Sequence, residues 1–175
     1  MIARLKKFWN LPGRQKLVLS RAFVLLGLYR VGLSFFSLKY LTRRLEHLAQ
    51  AGPPASLVGD QLAQAQLLGQ LVSIAAAYTP WKSRCLCQVL VLQRLLAGEG
   101  IPGQFYLGVC RSGSSASANT RLEAHAWLQC GTEIVSGAAG HEQFQVVSAY
   151  RWAPSRARVD AQAIEPNASA AERGN

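Results

Sequence analysis

Acidic residues are scarce in this 175-residue chain, which has nine Asp and Glu against nineteen Lys and Arg and a formal net charge of +10. The imbalance is concentrated in residues 1–50, where Glu46 is the single acid. The basic residues of this segment are Arg4, Lys6, Lys7, Arg14, Lys16, Arg21, Arg30, Lys39, Arg43 and Arg44. Such a segment suits a nucleic-acid face, a membrane surface or a docking site for an acidic peptide. Few aromatic residues alternate with the basic ones, so nucleic acid is the least favoured.

The sequence also lacks the pattern of a cleavable signal peptide, because Pro12 and Arg14 stand where a continuous apolar core is needed. The longer apolar stretch over residues 17–41 contains Arg21 and Arg30. Since a charge near the centre of a bilayer is costly, we expect an amphipathic helix that docks on protein, and we favour membrane association less. A cytoplasmic location follows from this interpretation.

Signatures of cofactors are missing as well. The stretch GEGIPG at 98–103 has no following Lys-Ser/Thr, which excludes a phosphate-binding loop of the usual kind. Cys85 and Cys87 lack the two-residue spacer that is common in zinc sites. We therefore expect no metal and no cofactor. In a reducing cytoplasm, free thiols are expected at all four cysteines, Cys85, Cys87, Cys110 and Cys130.

The first half of the chain has the periodicity of helices. Residues 1–50 are predicted to form a basic helical arm, with one helix from Pro12 to about Tyr29 and a second from Phe35 to His47. The prolines of AGPPAS at 51–56 break this arm. Apolar residues at three- and four-residue steps predict a further helix over 57–78. A helix over 84–97 is apolar nearly all round, which is typical of a buried helix.

Beyond residue 103 the apolar period changes to two, which is typical of strands. Strands are predicted at 103–110, 121–130, 133–136 and 143–150, with a turn at 131–132 and a polar loop at 112–120. In the second strand, Glu123, His125 and Trp127 are expected on the face opposite Ala124 and Ala126. The fold class is therefore α+β, with a core over 51–152 in which a buried helix packs on an antiparallel sheet. Residues 153–175 are predicted to be disordered.

Two residues have the chemistry of a nucleophile and a base. Ser83 is the expected N-cap of the buried helix, so Cys85 lies in its first turn, where free N–H groups favour a thiolate. His125 is the one histidine on a well-defined strand. A rigid base beside a helix-terminal thiol is the geometry of cysteine nucleophilic catalysis. The same residues could instead be a small core hydrophobe and a hydrogen-bonded strand histidine.

The segments CLCQVLVLQRLLAGEGIPGQFYLGV and EAHAWLQCG together resemble the transglutaminase-like cysteine proteases of lasso-peptide biosynthesis. The shared features are Cys-Leu at a helix start, a Leu-rich helix, Gly-Ile-Pro, a strand ending in Gly-Val, and Ala-His-Ala-Trp. The resemblance extends over roughly residues 8–150. It implies a transglutaminase/papain-like core and a cysteine-type endopeptidase that removes the leader from a ribosomally made lasso-peptide precursor.

The resemblance implies Cys85 as the nucleophile, His125 as the general base and a structural role for Cys87. Similar proteases often have an acid about a dozen residues after the histidine, where this chain has Gly137. Ser136, Glu123, Glu142 or a backbone carbonyl could orient the imidazole instead. These alternatives stay open on the sequence alone.

The resemblance also implies partners. They are the precursor leader, a separate leader-recognition protein and the lasso cyclase that would use the released core peptide. The basic arm could contact the leader-recognition protein or an acidic leader, or it could be a solvated helix face. The alternative function is a non-catalytic peptide-binding module of the same fold that acts as a scaffold.

Overall fold

The computed structural model describes residues 12–43, 45–48, 56–81, 83–112 and 121–153. The predicted disordered tail and the polar loop at 112–120 lie almost entirely outside these residues. So do the start of the basic arm and most of the AGPPAS break. Those predictions remain predictions.

Four helices and one sheet make up the described chain. The helices are α1 (Gly13–Phe35), α2 (Leu38–Leu41), α3 (Gln61–Ala77) and α4 (Cys85–Gly98). The strands are β1 (Glu46–Leu48), β2 (Gly103–Ser112), β3 (Arg121–Cys130), β4 (Glu133–Ser136) and β5 (Gln145–Trp152). A short 3-10 helix at His141–Gln143 precedes β5. The predicted α+β class is confirmed, as are the buried helix and the four predicted strands.

All strand pairs are antiparallel, in the order β1-β5-β2-β3-β4. The central pair is β2 with β3, in which Gly108 lies opposite His125 and Phe105 opposite Leu128. β4 is short and pairs only with the last three residues of β3, with a register shift between Leu128 and Gln129. Within the described residues, no strand pairs with the first half of β3 on the side away from β2.

The helices cover one face of the sheet. α4 packs on β3 and is also in contact with α1 and α3. Its side chains at 89–92 and at Leu96 are at most 1% exposed, because neighbours enclose the helix on most sides. The sheet contributes Phe105, Ala126 and Leu128 to the same apolar cluster. Burial of this cluster is the main source of the fold's stability.

The opposite face of the sheet has a smaller apolar cluster of its own. Tyr106, Trp127 and Ala149 are buried there, with Phe144 and Ile134 packed around them. Residues of β3 therefore alternate between the two faces, as the sequence predicted: Ala126 and Leu128 face α4, whereas Trp127 faces away from it.

Two predictions for the arm are wrong. α1 continues to Phe35, through Gly32 and Ser34, where a break was expected. The hydroxyl of Ser34 donates to the carbonyl oxygen of Arg30 at 3.1 Å, so this serine is accommodated within the helix. Residues 46–48 were expected to end a second helix, but they form the edge strand β1, which pairs with β5 and places Glu46 opposite Arg151.

Candidate active site

The loop before α4 is fixed by hydrogen bonds between side chains and backbone. The hydroxyl of Thr79 lies 2.9 Å from that of Ser83 and 2.8 Å from the carbonyl oxygen of Trp81. The side-chain amide of Gln88 donates to the carbonyl of Ser83 at 3.0 Å. Ser83 was predicted to be the N-cap residue of α4, and this prediction is wrong. Arg84 is the N-cap residue, with an extended backbone and no side-chain cap.

Cys85 is the first residue of α4 and is half-buried. The first N–H that finds a carbonyl within this helix is that of Gln88, which donates to Arg84 at 3.3 Å. The N–H groups of the three preceding positions lack such acceptors, as at any helix start. They point toward the N-terminal end of α4, where the helix dipole also favours negative charge. Free N–H groups of this kind can stabilise the negative oxygen of a tetrahedral intermediate.

Cys87 has a different environment, although it is only two residues away. Its side chain is 3% exposed and belongs to the main apolar cluster. Burial raises the pKa of the Cys87 thiol, while the positive charge of Arg30 on α1 opposes that shift. A buried thiol with a raised pKa packs as a small apolar group. This is the structural role expected from the sequence.

The imidazole of His125 is held by a backbone carbonyl. Its Nε2 lies 2.8 Å from the carbonyl oxygen of Gly137. A carbonyl oxygen can only accept, so Nε2 carries the proton of this hydrogen bond. In the neutral ring, Nδ1 then has the lone pair and is the basic nitrogen.

Aromatic side chains fix the ring of His125 on the face of the sheet that α4 does not cover. The ring stacks near Trp127, with 6.0 Å between centroids, and is tilted against Phe144 at 5.0 Å. On the other side of Trp127, His141 lies at 5.7 Å and Tyr106 at 5.5 Å. The imidazole of His125 is therefore half-buried and lies in a row of aromatic side chains.

The structure brings the elements of the two candidates together, but not their reacting atoms. α4 is in contact with both β2 and β3. The second half of β2 pairs with the first half of β3, which includes His125. However, no hydrogen bond joins the thiol of Cys85 to His125 among the contacts of the described residues.

None of the three side chains considered as orienting groups holds the imidazole. Glu123 is exposed on β3, and Ser136 pairs with Leu128 across the sheet rather than with Trp127. Glu142 is directed toward His141, with 3.2 Å between its carboxylate and Nδ1 of that ring. The Gly137 carbonyl, which the sequence left open as an alternative, is the observed partner.

Gly137 can bring its carbonyl to His125 because it has no side chain. Its φ is +75°, and a Cβ there would lie 2.9 Å from Cα of Trp127. The backbone of residue 137 therefore lies directly against β3. Gly137 makes this contact possible, at the position where the resemblance often implies an acid.

Metal binding finds no support in the described part of the chain, which contains no cluster of three or more His, Cys, Asp or Glu side chains. All four cysteines are free. Cys130 is fully buried, and burial raises the pKa of its thiol to about 12. Such a thiol is inert near neutral pH.

A family model described as the transglutaminase-like superfamily matches residues 27–149, from the middle of α1 to β5. The match includes Cys85, His125 and Gly137. No curated protein and no solved structure matches the chain significantly. The family includes cysteine peptidases. Since the matched segment spans more than half of the sequence, the chain belongs to the transglutaminase-like superfamily.

Proposed function

We propose that this chain is a cysteine peptidase that removes the leader from a lasso-peptide precursor, with Cys85 as nucleophile and His125 as general base. The observation that carries the proposal is the hydrogen bond from Nε2 of His125 to the Gly137 carbonyl. It occupies the place of the orienting acid in similar proteases and leaves Nδ1 as the base.

The reaction is acyl transfer to sulfur. Nδ1 of His125 takes the proton of the Cys85 thiol, and the sulfur attacks the carbonyl carbon at the leader–core junction. Backbone N–H groups at the start of α4 stabilise the negative oxygen of the tetrahedral intermediate. The carbon–nitrogen bond then breaks, and His125 protonates the amine of the core peptide as it leaves. A water molecule, deprotonated by His125, hydrolyses the thioester and releases the leader with a free carboxylate.

This reaction requires the thiol and Nδ1 to come within hydrogen-bond distance. They are not hydrogen-bonded in the unliganded chain, where the ring of His125 packs with Trp127 on the face of the sheet that α4 does not cover. The imidazole therefore has to leave these aromatic contacts before Nδ1 can reach the thiol. The open outer side of β3 next to His125 is where the peptide would enter. We propose that Cys85 and His125 approach each other when the peptide binds.

The test is mass spectrometry of a lasso-peptide precursor incubated with the chain and a separate leader-recognition protein. We expect a single cut at the leader–core junction, lost in Cys85→Ala and in His125→Ala. The control is Cys110→Ala, since Cys110 is also half-buried but lies on β2. Cleavage that persists without the Cys85 thiol would refute the proposal. Circular dichroism of each variant separates loss of chemistry from loss of fold.

The second candidate is a non-catalytic peptide-binding module. It is favoured by one observation: the imidazole packs on the face of the sheet that α4 does not cover and is hydrogen-bonded to the Gly137 carbonyl rather than to the thiol. In that case the chain would bind the precursor in a pull-down, and the wild type would leave it uncut under every condition. Peptide retention would then be unaffected by Cys85→Ala.

A further inference from the structure

α1 exposes an apolar surface on the side that faces away from the protein. Five residues form this surface, which we call the exposed stripe: Leu17, Val24, Leu28, Val31 and Phe35. They follow one another at steps of seven, four, three and four residues, so they lie along a single line of the helix. Each is between 57% and 80% exposed. The stripe is about 27 Å long at the helical rise per residue.

The helix is anchored to the protein by its opposite side. Leu19, Ala22 and Leu26 are buried in the main apolar cluster, where α1 contacts α3 and α4. Leu26 lies two residues from both Val24 and Leu28, about 200° around the helix from them. A helix that is apolar on both sides but has protein on only one of them leaves a face to be covered.

Basic and aromatic side chains border this stripe. Arg21 lies on the exposed side of α1, four residues after Leu17 and three before Val24. At the end of α1, Phe36 shares a groove with Leu28 and Val31. Its ring stacks on that of Tyr40 at 5.2 Å, and the guanidinium of Arg43 lies 4.6 Å from the Tyr40 ring centre.

The segment that contains α1 and the residues after it is positively charged. Between residues 12 and 43 the sequence has six basic residues and no Asp or Glu. Arg21 is the single polar side chain at the three- and four-residue steps of the stripe, so this surface offers few of the directed hydrogen bonds of a specific protein interface. Aliphatic residues bordered by Arg, Lys and aromatic rings are the composition of helices that lie in the surface of an anionic bilayer.

We propose that α1 docks on a membrane surface that contains anionic lipids, with the exposed stripe in the acyl boundary and the basic residues at the headgroups. The helix is long and apolar enough to cross a bilayer. However, burial of Leu19, Ala22 and Leu26 against the rest of the protein favours an orientation parallel to the membrane plane. Arg21 and Arg30 made membrane association the less favoured expectation from the sequence. In a parallel orientation neither charge has to enter the bilayer centre, so that objection disappears.

The experiment is sedimentation of the full chain with vesicles of phosphatidylcholine, alone or mixed with phosphatidylglycerol. We expect binding to the mixed vesicles that weakens as NaCl is raised, because exposed charges are screened. Val24→Glu combined with Leu28→Glu should lower the partition coefficient about tenfold or more, since apolar burial is lost and repulsion is added. The control is Val58→Glu, a valine outside the arm that is even more exposed than Val24, and this variant should bind like the wild type.

A second variant tests the charges without touching the stripe. Arg21→Gln with Lys39→Gln should weaken binding to the mixed vesicles by about fivefold for each charge removed. This variant also decides the matter if the double glutamate variant fails to fold by circular dichroism. Cleavage of a precursor in solution involves Cys85 rather than the stripe, so it should be the same in both membrane-binding variants.

Three results would overturn the proposal. The first is the absence of sedimentation with anionic vesicles at low salt. The second is a dimer in gel filtration that the double glutamate variant converts to a monomer, which would assign the stripe to a second copy of the chain. The third is a complex with the leader-recognition protein that needs the stripe while vesicles remain unbound, which would assign it to a protein partner.

Discussion

At the residue scale, the candidate site depends on a backbone atom that has no sequence signature of its own. His125 could be found from the sequence because it lies in an alternating strand next to a tryptophan. Its partner could not, because every residue has a carbonyl oxygen, and only the path of the chain decides which one reaches Nε2. Gly137 allows that path through its positive φ and its close contact with Trp127.

Gly137→Ala is therefore expected to lower the free energy of unfolding by about 2–4 kcal/mol. About 1–2 kcal/mol comes from placing an L-residue at φ +75°, and the remainder from the clash of Cβ with the backbone of β3. The measurement is chemical denaturation of wild type and variant.

Gly140→Ala is the matched control. Gly140 has nearly the same φ, +72°, but its nearest neighbour to a new Cβ is the side-chain amide of Gln143 at 3.8 Å. This variant should lose only the conformational part, about 1–2 kcal/mol. Equal losses in the two variants would mean that the contact with β3 contributes nothing.

At the scale of elements, the predictions from the sequence were most accurate where a helix or strand has a strong local pattern of apolar residues. The helix over 84–97 and the strand at 121–130 are nearly correct, because one is apolar all round and the other alternates. β1 was missed because a three-residue strand is formed by pairing with β5, about a hundred residues further along the chain. Leu45 and Leu48, three residues apart, are equally consistent with the end of a helix.

The sequence pattern also does not reveal the close contact between α3 and β4. Gly69 lies in the middle of α3, and a Cβ there would overlap the carbonyl oxygen of Val135 on β4. We expect Gly69→Ala to destabilise the protein by about 2–3 kcal/mol, because helix and strand must move apart. This loss exceeds the gain of up to about 1 kcal/mol that alanine brings to a helix interior.

Gly98→Ala tests the same substitution without the contact. Gly98 is the last residue of α4, and nothing lies within 4 Å of a Cβ built there. This variant should be neutral or more stable by up to about 0.5 kcal/mol, as measured by thermal unfolding. If Gly69→Ala were also neutral, the close approach of α3 to β4 would not hold in solution.

At the scale of the whole molecule, the helices of the described residues cover one face of the sheet, and α1, which has four of the basic residues, packs on α3 and α4. Composition predicted the charge of this region, and periodicity predicted a helix there, although not its end at Phe35. Neither composition nor periodicity could show which side of α1 packs against the rest of the protein, since apolar residues lie all around this helix. Only the packing of Leu19, Ala22 and Leu26 separates the buried side from the exposed stripe.

Folding of the whole chain also buries several weak acids in their neutral form. Burial raises the pKa of Cys130 from 9.0 to about 12, and it raises the pKa of Cys87, Tyr106 and Tyr29 as well. Above about pH 9 the unfolded chain releases protons that the folded chain retains. The folded state therefore loses stability as the pH rises from about 9 toward 12, and it keeps its full stability below that range.

Urea denaturation followed by tryptophan fluorescence, from about pH 8 to about pH 11, should show this decline. One such thiol contributes at most about 1.4 kcal/mol per pH unit to the slope. In Cys130→Ala the decline should be shallower by up to that amount, although the variant starts from a lower stability because a buried sulfur is missing. A free energy of unfolding that stays constant over this range would contradict the burial of these groups, because a thiol in contact with water would ionise equally in both states.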